Sequence, residues 1–385
     1  MKYSSILLFF FLVTGCSVQQ KSNSSAGDRS ATPSISRLKL LDVYEIPFGQ
    51  QYGGTWVGGL SGIDYDPAND RYFIISDERS ATTASRFYTA KIRIANSKID
   101  TVLFTGVHTL KMPNGKTFPS LKEGAQDAAD PESIRFNPRT NKLVWSSEGD
   151  RAERNGAVNI RDPWIWEMDL SGNYLDSFAL PANMHVQAVE KGPRVNGVFE
   201  GLAFAGNYRH LFVSVEEPLY EDGPRADVDY AGAPVRMIKY DAATRQPIAQ
   251  YAYLLDAVAR KPNPATAFRV NGISEIMAIN DDRLLVMERS FSMGNSYCTI
   301  KIYETDLHAA TDVTGISGLH QRRNYKPASK KLLLNMNDLD RYIDNVEGIT
   351  WGPKLANGHS SLLLIADNNF SKEQKTQFFL FEIIP

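Results

Sequence analysis

Apolar and polar residues alternate with a period of two in several segments of this 385-residue chain. In PESIRFN the residues Glu132 and Ile134 fall on one side, and in NVEGITW the residues Glu347, Ile349 and Trp351 do so. This alternation is typical of a half-buried β-strand. A short turn rich in Asp, Asn and Pro usually follows, and then a second β-rich run such as YFIIS, LVWSS or LFVSV. The pattern therefore predicts a series of β-hairpins.

The predicted hairpin occurs five times along the chain. Its anchor residues are separated by 71, 68, 75 and 72 positions, and they are Ser61, Glu132, Glu200, Glu275 and Glu347. Two further strand candidates follow most hairpins, without a convincing long amphipathic helix. Four antiparallel strands in each unit of about 70 residues predict an all-β fold, a β-propeller. The alternatives are a pair of β-sandwiches, which does not explain equal spacing, and a right-handed solenoid, whose period is usually shorter.

Five four-stranded blades are expected over residues 37–385. The C-terminal unit has only three strand candidates, so the N-terminal segment LKLLDVYEI is predicted to supply the fourth strand and to close the ring. An irregular sixth blade within residues 305–345 is the alternative.

A second acidic residue stands at the end of the second strand of each hairpin. These residues are Asp77, Glu148, Glu216, Glu288 and Asp367. Because an antiparallel hairpin reverses direction, the two acids of one unit lie at the same edge of the blade. The first strand of a propeller blade lines the central channel, so we expect the carboxylates to converge at one mouth of it. The long connections between strands lie at the same end, where binding sites are usually built.

The N-terminus resembles a bacterial lipoprotein signal. An apolar run from Ile6 to Val13 precedes Thr14, Gly15 and Cys16, and it is too short to be a transmembrane helix. We expect residues 1–15 to be the signal peptide, Cys16 to carry lipid and residues 16–36 to form a flexible tether. An ordinary cleaved secretion signal is the alternative, and either one implies export.

The expected location is the cell envelope, with the lipid anchored in the outer membrane of a Gram-negative bacterium. A formal net charge of -2 gives no broad electrostatic reason to bind nucleic acid or an anionic membrane surface. Membrane contact is therefore expected only through the lipid, and the protein is expected to be a monomer. With Cys16 lipidated, Cys298 is the only cysteine left, so no intramolecular disulfide can form.

Converging carboxylates need a counter-charge. Two carboxylates 4 Å apart repel by roughly 1 kcal/mol in water and by about 4 kcal/mol at the effective dielectric of a protein surface. Protons, basic side chains or a metal ion can supply the charge. The nearby bases are Arg79, Arg151 and Arg289. Oxygen-only ligands in an exported protein suit Ca²⁺ better than Zn²⁺. The structural alternative is that each glutamate accepts hydrogen bonds from backbone N–H groups of the neighbouring blade.

The motifs around these acids resemble the bacterial phytase-like domain family, also described as having the esterase-like activity of phytase. The resemblance covers nearly all of residues 40–385 and is carried by GLSGIDYD, DPESIRF, SSEGD, FEGLAF, VEEPLYEDGP, VNGISEI, MERSF, VEGITW and ADNNF. It implies a propeller related to the calcium-dependent phytases. Carried over to this chain, it implies that Glu132, Glu200, Glu275 and Glu347 are calcium ligands. It further implies that Asp77, Glu148, Glu216, Glu288 and Asp367 bind calcium or support its ligands, and that Arg79, Arg151 and Arg289 contact substrate phosphate.

Two functional hypotheses follow. The first is an exported hydrolase that uses Ca²⁺ to cleave a small phosphoester at the channel mouth. The second is a non-catalytic propeller of the cell envelope that binds a ligand or a protein partner on the same face. The chain contains no Gly-x-Ser-x-Gly elbow, no Walker sequence and no dinucleotide fingerprint, so other common catalytic schemes find no support.

Overall fold

A computed structural model describes Met1 and residues 34–120, 127–154, 157–295, 297–320 and 324–385, without the side chains of residues 154 and 157. A compact unit extends over Ser34–Pro385. It begins just before the expected boundary because Ile35 is buried in the core and Ser36 donates a backbone hydrogen bond to Ile384. The signal peptide, Cys16 and most of the tether lie outside the described residues. None of the described helices has the length and apolar composition needed to span a bilayer.

The described chain forms five four-stranded antiparallel sheets, which are the predicted blades of a propeller. The chain opens with β1 (Arg37–Ile46) and a small hairpin of β2 (Gln51–Tyr52) and β3 (Thr55–Trp56). Blade 1 contains β4 (Leu60–Asp66), β5 (Arg71–Ser76), β6 (Arg86–Ala95) and β7 (Lys98–Thr109). Blade 2 contains β8 (Pro131–Asn137) and β9 (Lys142–Ser147), then an inserted hairpin of β10 (Asp150–Arg154) and β11 (Ala157–Arg161), then β12 (Trp164–Met168) and β13 (Tyr174–Ser177).

The remaining three blades follow the same order from the channel outward. Blade 3 contains β14 (Phe199–Ala205), β15 (His210–Val215), β16 (Pro234–Asp241) and β17 (Gln246–Leu254). Blade 4 contains β18 (Arg269–Ala278), β19 (Arg283–Ser292), β20 (Thr299–Asp306) and β21 (Ser329–Asn335). Blade 5 contains β22 (Asn345–Trp351), β23 (Ser361–Asp367), β24 (Thr376–Ile384) and, as predicted, β1. Short 3-10 turns lie at Ala182–Met184, Tyr220–Asp222 and Met336–Leu339.

The ring has five blades, and the described residues within 305–345 do not form the sixth blade that was the alternative. The described part of that segment supplies β21, which pairs with β20 as the outer strand of blade 4. The first strands β4, β8, β14, β18 and β22 are neighbours around the central channel. Ring closure is antiparallel, with β1 paired to β24. The protein is therefore an all-β, five-bladed propeller, as the repeat predicted.

The hydrophobic core lies between the blades. Each pair of adjacent blades encloses one apolar cluster, and the cluster between blades 1 and 2 includes Phe73, Phe87, Ile134 and Trp145. A blade buries both of its faces in this arrangement. For that reason its inner strands are apolar at successive positions, as in the fully buried β23, SLLLIAD.

A β-bulge interrupts the pairing of the first two strands in all five blades. The register shifts at Ser61 in blade 1, within Glu132–Ser133 in blade 2, within Glu200–Gly201 in blade 3, at Ser274 in blade 4 and at Glu347 in blade 5. A bulge inserts one residue into a strand and re-aims the neighbouring side chains. These shifts provide a common structural reference for comparing the five blades.

Candidate metal centre

Three first-strand glutamates reach the channel mouth from different blades. Glu132, Glu200 and Glu347 each follow the last first-strand residue that pairs with the second strand before the bulge. All three are buried. The equivalent residues in the other two blades are serines, Ser61 and Ser274. The repeat in the sequence predicts Glu275 for this position, which is one residue too late for the register of blade 4.

Four second-strand acids join these glutamates. Asp77, Glu148, Glu216 and Asp367 each follow the residue of the second strand that pairs with the residue directly before the bulge. In blade 4 the pair is Ile273 with Glu288, so the equivalent residue is Arg289. The repeat in the sequence predicts Glu288 for this position, which is again one residue away from the residue that the strand pairing places there. At this position blade 4 contributes a cation where the other blades contribute carboxylates.

Glu275 is held in a network of hydrogen bonds and an ion pair centred on Arg135. Its Oε2 lies 2.9 Å from Nη2 of Arg135, and its Oε1 accepts a 2.9 Å hydrogen bond from the backbone N–H of Leu202. Arg135 also donates to the carbonyls of Leu202, Ile63 and Ile276. This network joins blades 1 to 4. Glu275 therefore matches the structural alternative of a hydrogen bond to the backbone of the next blade.

Glu288 belongs to a separate polar network between blades 3 and 4. Its carboxylate accepts hydrogen bonds from Lys330 at 2.6 Å, Tyr253 at 2.7 Å and Asn271 at 2.7 Å. These partners satisfy a buried carboxylate without a metal ion. Neither Glu275 nor Glu288 is brought to the group formed by the other predicted ligands.

The buried acids form two triads that share one residue. Asp130, Glu132 and Glu148 offer one oxygen each, with these atoms within 4.8 Å of one another, and Glu148, Glu200 and Glu216 do the same. Asp130 was not among the predicted ligands. The signal that could have found it is its position in Asp130-Pro131-Glu132, one residue before the first strand pair of blade 2. Two adjoining positions are thus available for a cation.

The electrostatic environment of the cluster disfavours full ionisation. Burial, followed by the charges of nearby carboxylates, raises the pKa well above its ordinary value for Asp77, Glu132, Glu148 and Glu200. Burial and the charge of Glu347 raise the pKa of Asp367 to about 8. Like charges removed from water favour the neutral carboxyl group or a bound cation.

Arg289 is the internal counter-charge. It makes an ion pair with Glu347 and a 3.1 Å pair with Glu216, and it donates a 2.9 Å hydrogen bond to Asn345. Although burial opposes its charge, Glu347 and Glu216 hold the pKa of Arg289 well above its ordinary value. The guanidinium links blades 3, 4 and 5 at the channel mouth.

The other two predicted phosphate contacts lie in different surroundings. Arg79 pairs with Asp130 at 2.6 Å and donates a 2.9 Å hydrogen bond to Asn196, and 37% of its side chain is exposed. It is therefore both next to a triad and accessible. Arg151 instead donates a 2.7 Å hydrogen bond to the hydroxyl of Tyr220 and lies over that ring. Among the described residues, no ion pair or hydrogen bond joins Arg151 to the triads.

Several buried carboxylate oxygens at the channel mouth have room for a hard cation. Both side-chain oxygens of Asp367 and Oε2 of Glu347 are buried and make no hydrogen bond of normal geometry. For Asp367, burial and the charge of Glu347 raise the pKa more than the backbone N–H groups of Asn369 and Asn368 lower it, so a proton or a cation would stabilise this carboxyl group. The donors in both triads are all carboxylate oxygens, the type that Ca²⁺ prefers. The residues present therefore fit Ca²⁺.

The backbone is shaped to make room for these acids. Gly59 has a φ of +61°, and a Cβ added to it would lie 2.1 Å from Oδ1 of Asp77. A Cβ at Gly272 would lie 2.5 Å from Cγ of Glu216. Glycine is required at such close approaches because any side chain would displace the carboxylate.

Comparison with known proteins adds the family. The sequence model described as "Phytase-like: Esterase-like activity of phytase" matches residues 55–370, a range that includes both triads and Arg289. The chain belongs to the phytase-like family. No curated protein matches the chain. Membership of this family and the propeller fold support a phytase-like hydrolase, without specifying the substrate.

Solved structures show only distant likeness. A GH43 β-1,3-galactosidase with galactodeoxynojirimycin has a TM-score of 0.46 and 9% identity, with coverage of 88% of this chain and 94% of that chain. A xylan β-1,4-xylosidase from Bacillus halodurans C-125 has a TM-score of 0.41 and 9% identity, with coverage of 84% and 52%. A periplasmic gluconolactonase from Pseudomonas aeruginosa has a TM-score of 0.35 and 10% identity, with coverage of 91% and 97%. At these TM-scores the likenesses carry no argument about function.

Proposed function

We propose that this phytase-like protein hydrolyses phosphoesters with Ca²⁺ bound at the channel mouth. The observation that supports the proposal is the pair of buried carboxylate triads sharing Glu148. Asp130, Glu132 and Glu148 would hold one cation, and Glu148, Glu200 and Glu216 would hold a second. Ca²⁺ in this position would supply Lewis-acid polarisation of a phosphoryl oxygen and activation of water.

The remaining residues have roles in positioning. Arg79 is exposed enough to contact a phosphate while it stays beside Asp130. Arg289 pairs with Glu216 and Glu347 and offsets part of the cost of ionising them. Hydrolysis joins the oxygen of water to phosphorus, breaks the bond from phosphorus to the ester oxygen, and transfers one proton of the water to the departing alcohol.

Substitution of one ligand tests the metal site directly. Glu200→Gln keeps the size of a buried side chain but removes one carboxylate from the second triad. We expect the soluble Cys16→Ser protein to bind Ca²⁺ in calorimetry and Glu200→Gln to bind it about 10- to 100-fold more weakly while remaining folded. Release of phosphate from a panel of phosphoesters should stop with EDTA and return with Ca²⁺. Ca²⁺ binding without turnover of any phosphoester would favour the non-catalytic propeller that binds a ligand on this face.

The location of the protein is a further part of the proposal. We propose that lipid on Cys16 anchors the protein, as a monomer, to the outer membrane of a Gram-negative cell envelope, with residues 17–33 within the tether. The basis is the apolar run that ends in Val13-Thr14-Gly15-Cys16. Cys16→Ser should move the protein from the membrane fraction to the soluble fraction. A protein that stays in the membrane fraction after this change would contradict the lipid anchor.

A further inference from the structure

A cavity of about 570 Å³ opens beside the acidic cluster. Blades 3, 4 and 5 all contribute to its lining, which includes Arg289 and the triad residue Glu216. Its size is within the usual range for sites that bind small molecules. A phosphate at the second triad would leave the rest of its molecule inside this cavity.

Aromatic side chains form much of the cavity wall. Phe268, Phe291 and Tyr297 come from blade 4 and its loops, and Tyr342 comes from the approach to blade 5. Phe268 is 50% exposed, Tyr297 39% and Tyr342 37%. Large aromatic side chains left this open around a concave site are typical of surfaces that bind an apolar group.

The outer part of this wall is held in place. The Phe268 and Phe291 rings lie 6.3 Å apart between centroids, and the guanidinium of Arg260 lies 3.7 Å from the centroid of Tyr297. Phe291 also packs against the hydrophobic core between blades 4 and 5. An aromatic group entering the cavity would therefore meet pre-positioned rings.

The charges of the lining do not suit a substrate with many phosphates. Arg289 is the one basic side chain among the described lining residues, whereas Glu216, Glu217, Asp344 and Glu373 are acidic. Arg289 is already paired with Glu216 and Glu347. A polyanion that filled the cavity would face like charges on several sides, whereas a single phosphate directed toward the metal centre would not.

We propose that the substrate is a phosphomonoester whose alcohol carries an aromatic ring, with the ring in this cavity and the phosphate at the triads. This inference rests on the proposed function, because it assigns the substrate class of the same site. Phe268, Phe291 and Tyr297 determine specificity by contact with the ring.

Benzyl phosphate and glycerol 1-phosphate provide a matched comparison. Both release a primary alcohol, so the difference in kcat/KM reports mainly the binding of the ring and little of the chemistry of the leaving group. We expect benzyl phosphate to be preferred at least about tenfold and myo-inositol hexakisphosphate to be the poorest of the three. Phe268→Ala should lower kcat/KM for benzyl phosphate about three- to tenfold more than it lowers kcat/KM for glycerol 1-phosphate. Phe268→Tyr should retain the preference.

A control variant and a binding measurement make the outcomes separable. Phe48→Ala removes an aromatic side chain that is 46% exposed and does not line the cavity, so it should change neither substrate. Equal turnover of benzyl and glycerol phosphate, or an equal effect of Phe268→Ala on both, would overturn the inference and leave the hydrolase intact. If no phosphoester is turned over, the hydrolase fails. Calorimetric binding of benzylphosphonate that Phe268→Ala weakens would then still support the ligand class, and absence of that binding would overturn it.

Discussion

Replacement of Arg289 by methionine tests the charge balance at the channel mouth. The side chain of Arg289 is only 16% exposed, and it pairs with Glu216 at 3.1 Å and with Glu347. Methionine has a similar length and fills the space with an apolar chain. The substitution therefore removes the cation between two buried carboxylates and leaves the surrounding strands unchanged.

The expected cost is large and depends on pH. Removal of one partner from a buried ion pair typically destabilises a protein by about 3–5 kcal/mol, because the other charge stays buried without compensation. In EDTA at pH 8 we expect Arg289→Met to lower the free energy of unfolding by about that amount. At pH 5 the cost should be smaller, since Glu216 and Glu347, whose pKa values burial already raises, can take up protons instead.

Urea denaturation with and without Ca²⁺ measures this effect. Saturating Ca²⁺ should recover part of the loss, because the cation supplies the positive charge that the variant lacks. Arg93→Met is the control, since Arg93 and Asp100 form a pair with side chains that are 72% and 44% exposed, and such pairs contribute at most about 1 kcal/mol. If Arg289→Met in EDTA at pH 8 unfolds at the same urea concentration as the wild type, Arg289 is not the counter-charge of the cluster.

The pH dependence of the wild type should reveal the protons held by the cluster. The pKa of Asp367 rises from 3.8 to about 8 on folding, so its contribution to stability in EDTA is complete below pH 3.8 and is lost as the pH rises through about 8. Ca²⁺ should flatten this part of the plot of unfolding free energy against pH, and its binding should release protons in calorimetry. If Ca²⁺ leaves the plot unchanged, the protons and the cation do not share a site. Glu275→Gln should lower the free energy of unfolding by about 3–5 kcal/mol, because it leaves Arg135 buried without its partner, and Ca²⁺ affinity measured on the folded protein should not change. Gly59→Ala should reduce both thermal stability and Ca²⁺ affinity, because its Cβ collides with the carboxylate of Asp77. Gly49→Ala is the control, since Gly49 has a φ of +81° with nothing within 4 Å, and it should reduce stability alone. Equal Ca²⁺ affinity in the two variants would show that the collision is relieved without moving the site.

Most of the architecture could be predicted from the chain because its determinants are local. Period-two alternation, turn residues and the repetition of hairpins identified five blades, and the three strand candidates at the C-terminus indicated closure by β1. Seven of the predicted ligands also lie where the hairpin argument placed them, at one end of the channel. These are Asp77, Glu132, Glu148, Glu200, Glu216, Glu347 and Asp367.

Blade 4 shows where local reasoning fails. In VNGISEIM an acid stands beside a small residue, as in the other blades, and in MERSF an acid stands beside an arginine. From spacing alone, each segment can be matched to the repeat in two ways that differ by one residue. The bulge at Ser274 decides between them. A shift of one residue moves a side chain to the opposite face of a strand. Glu275 and Glu288 consequently join structural networks, and Ser274 and Arg289 take the positions at the mouth.

The sequence by itself determined the blade, since each hairpin is specified by residues that are neighbours along the chain. Only the tertiary structure decided which charges meet. Asp130, Glu200 and Arg289 are brought together from three blades by closure of the ring, and their contacts depend on bulge register and on the channel that the five first strands enclose. Charges so far apart in sequence interact because the fold buries them in one region of low dielectric.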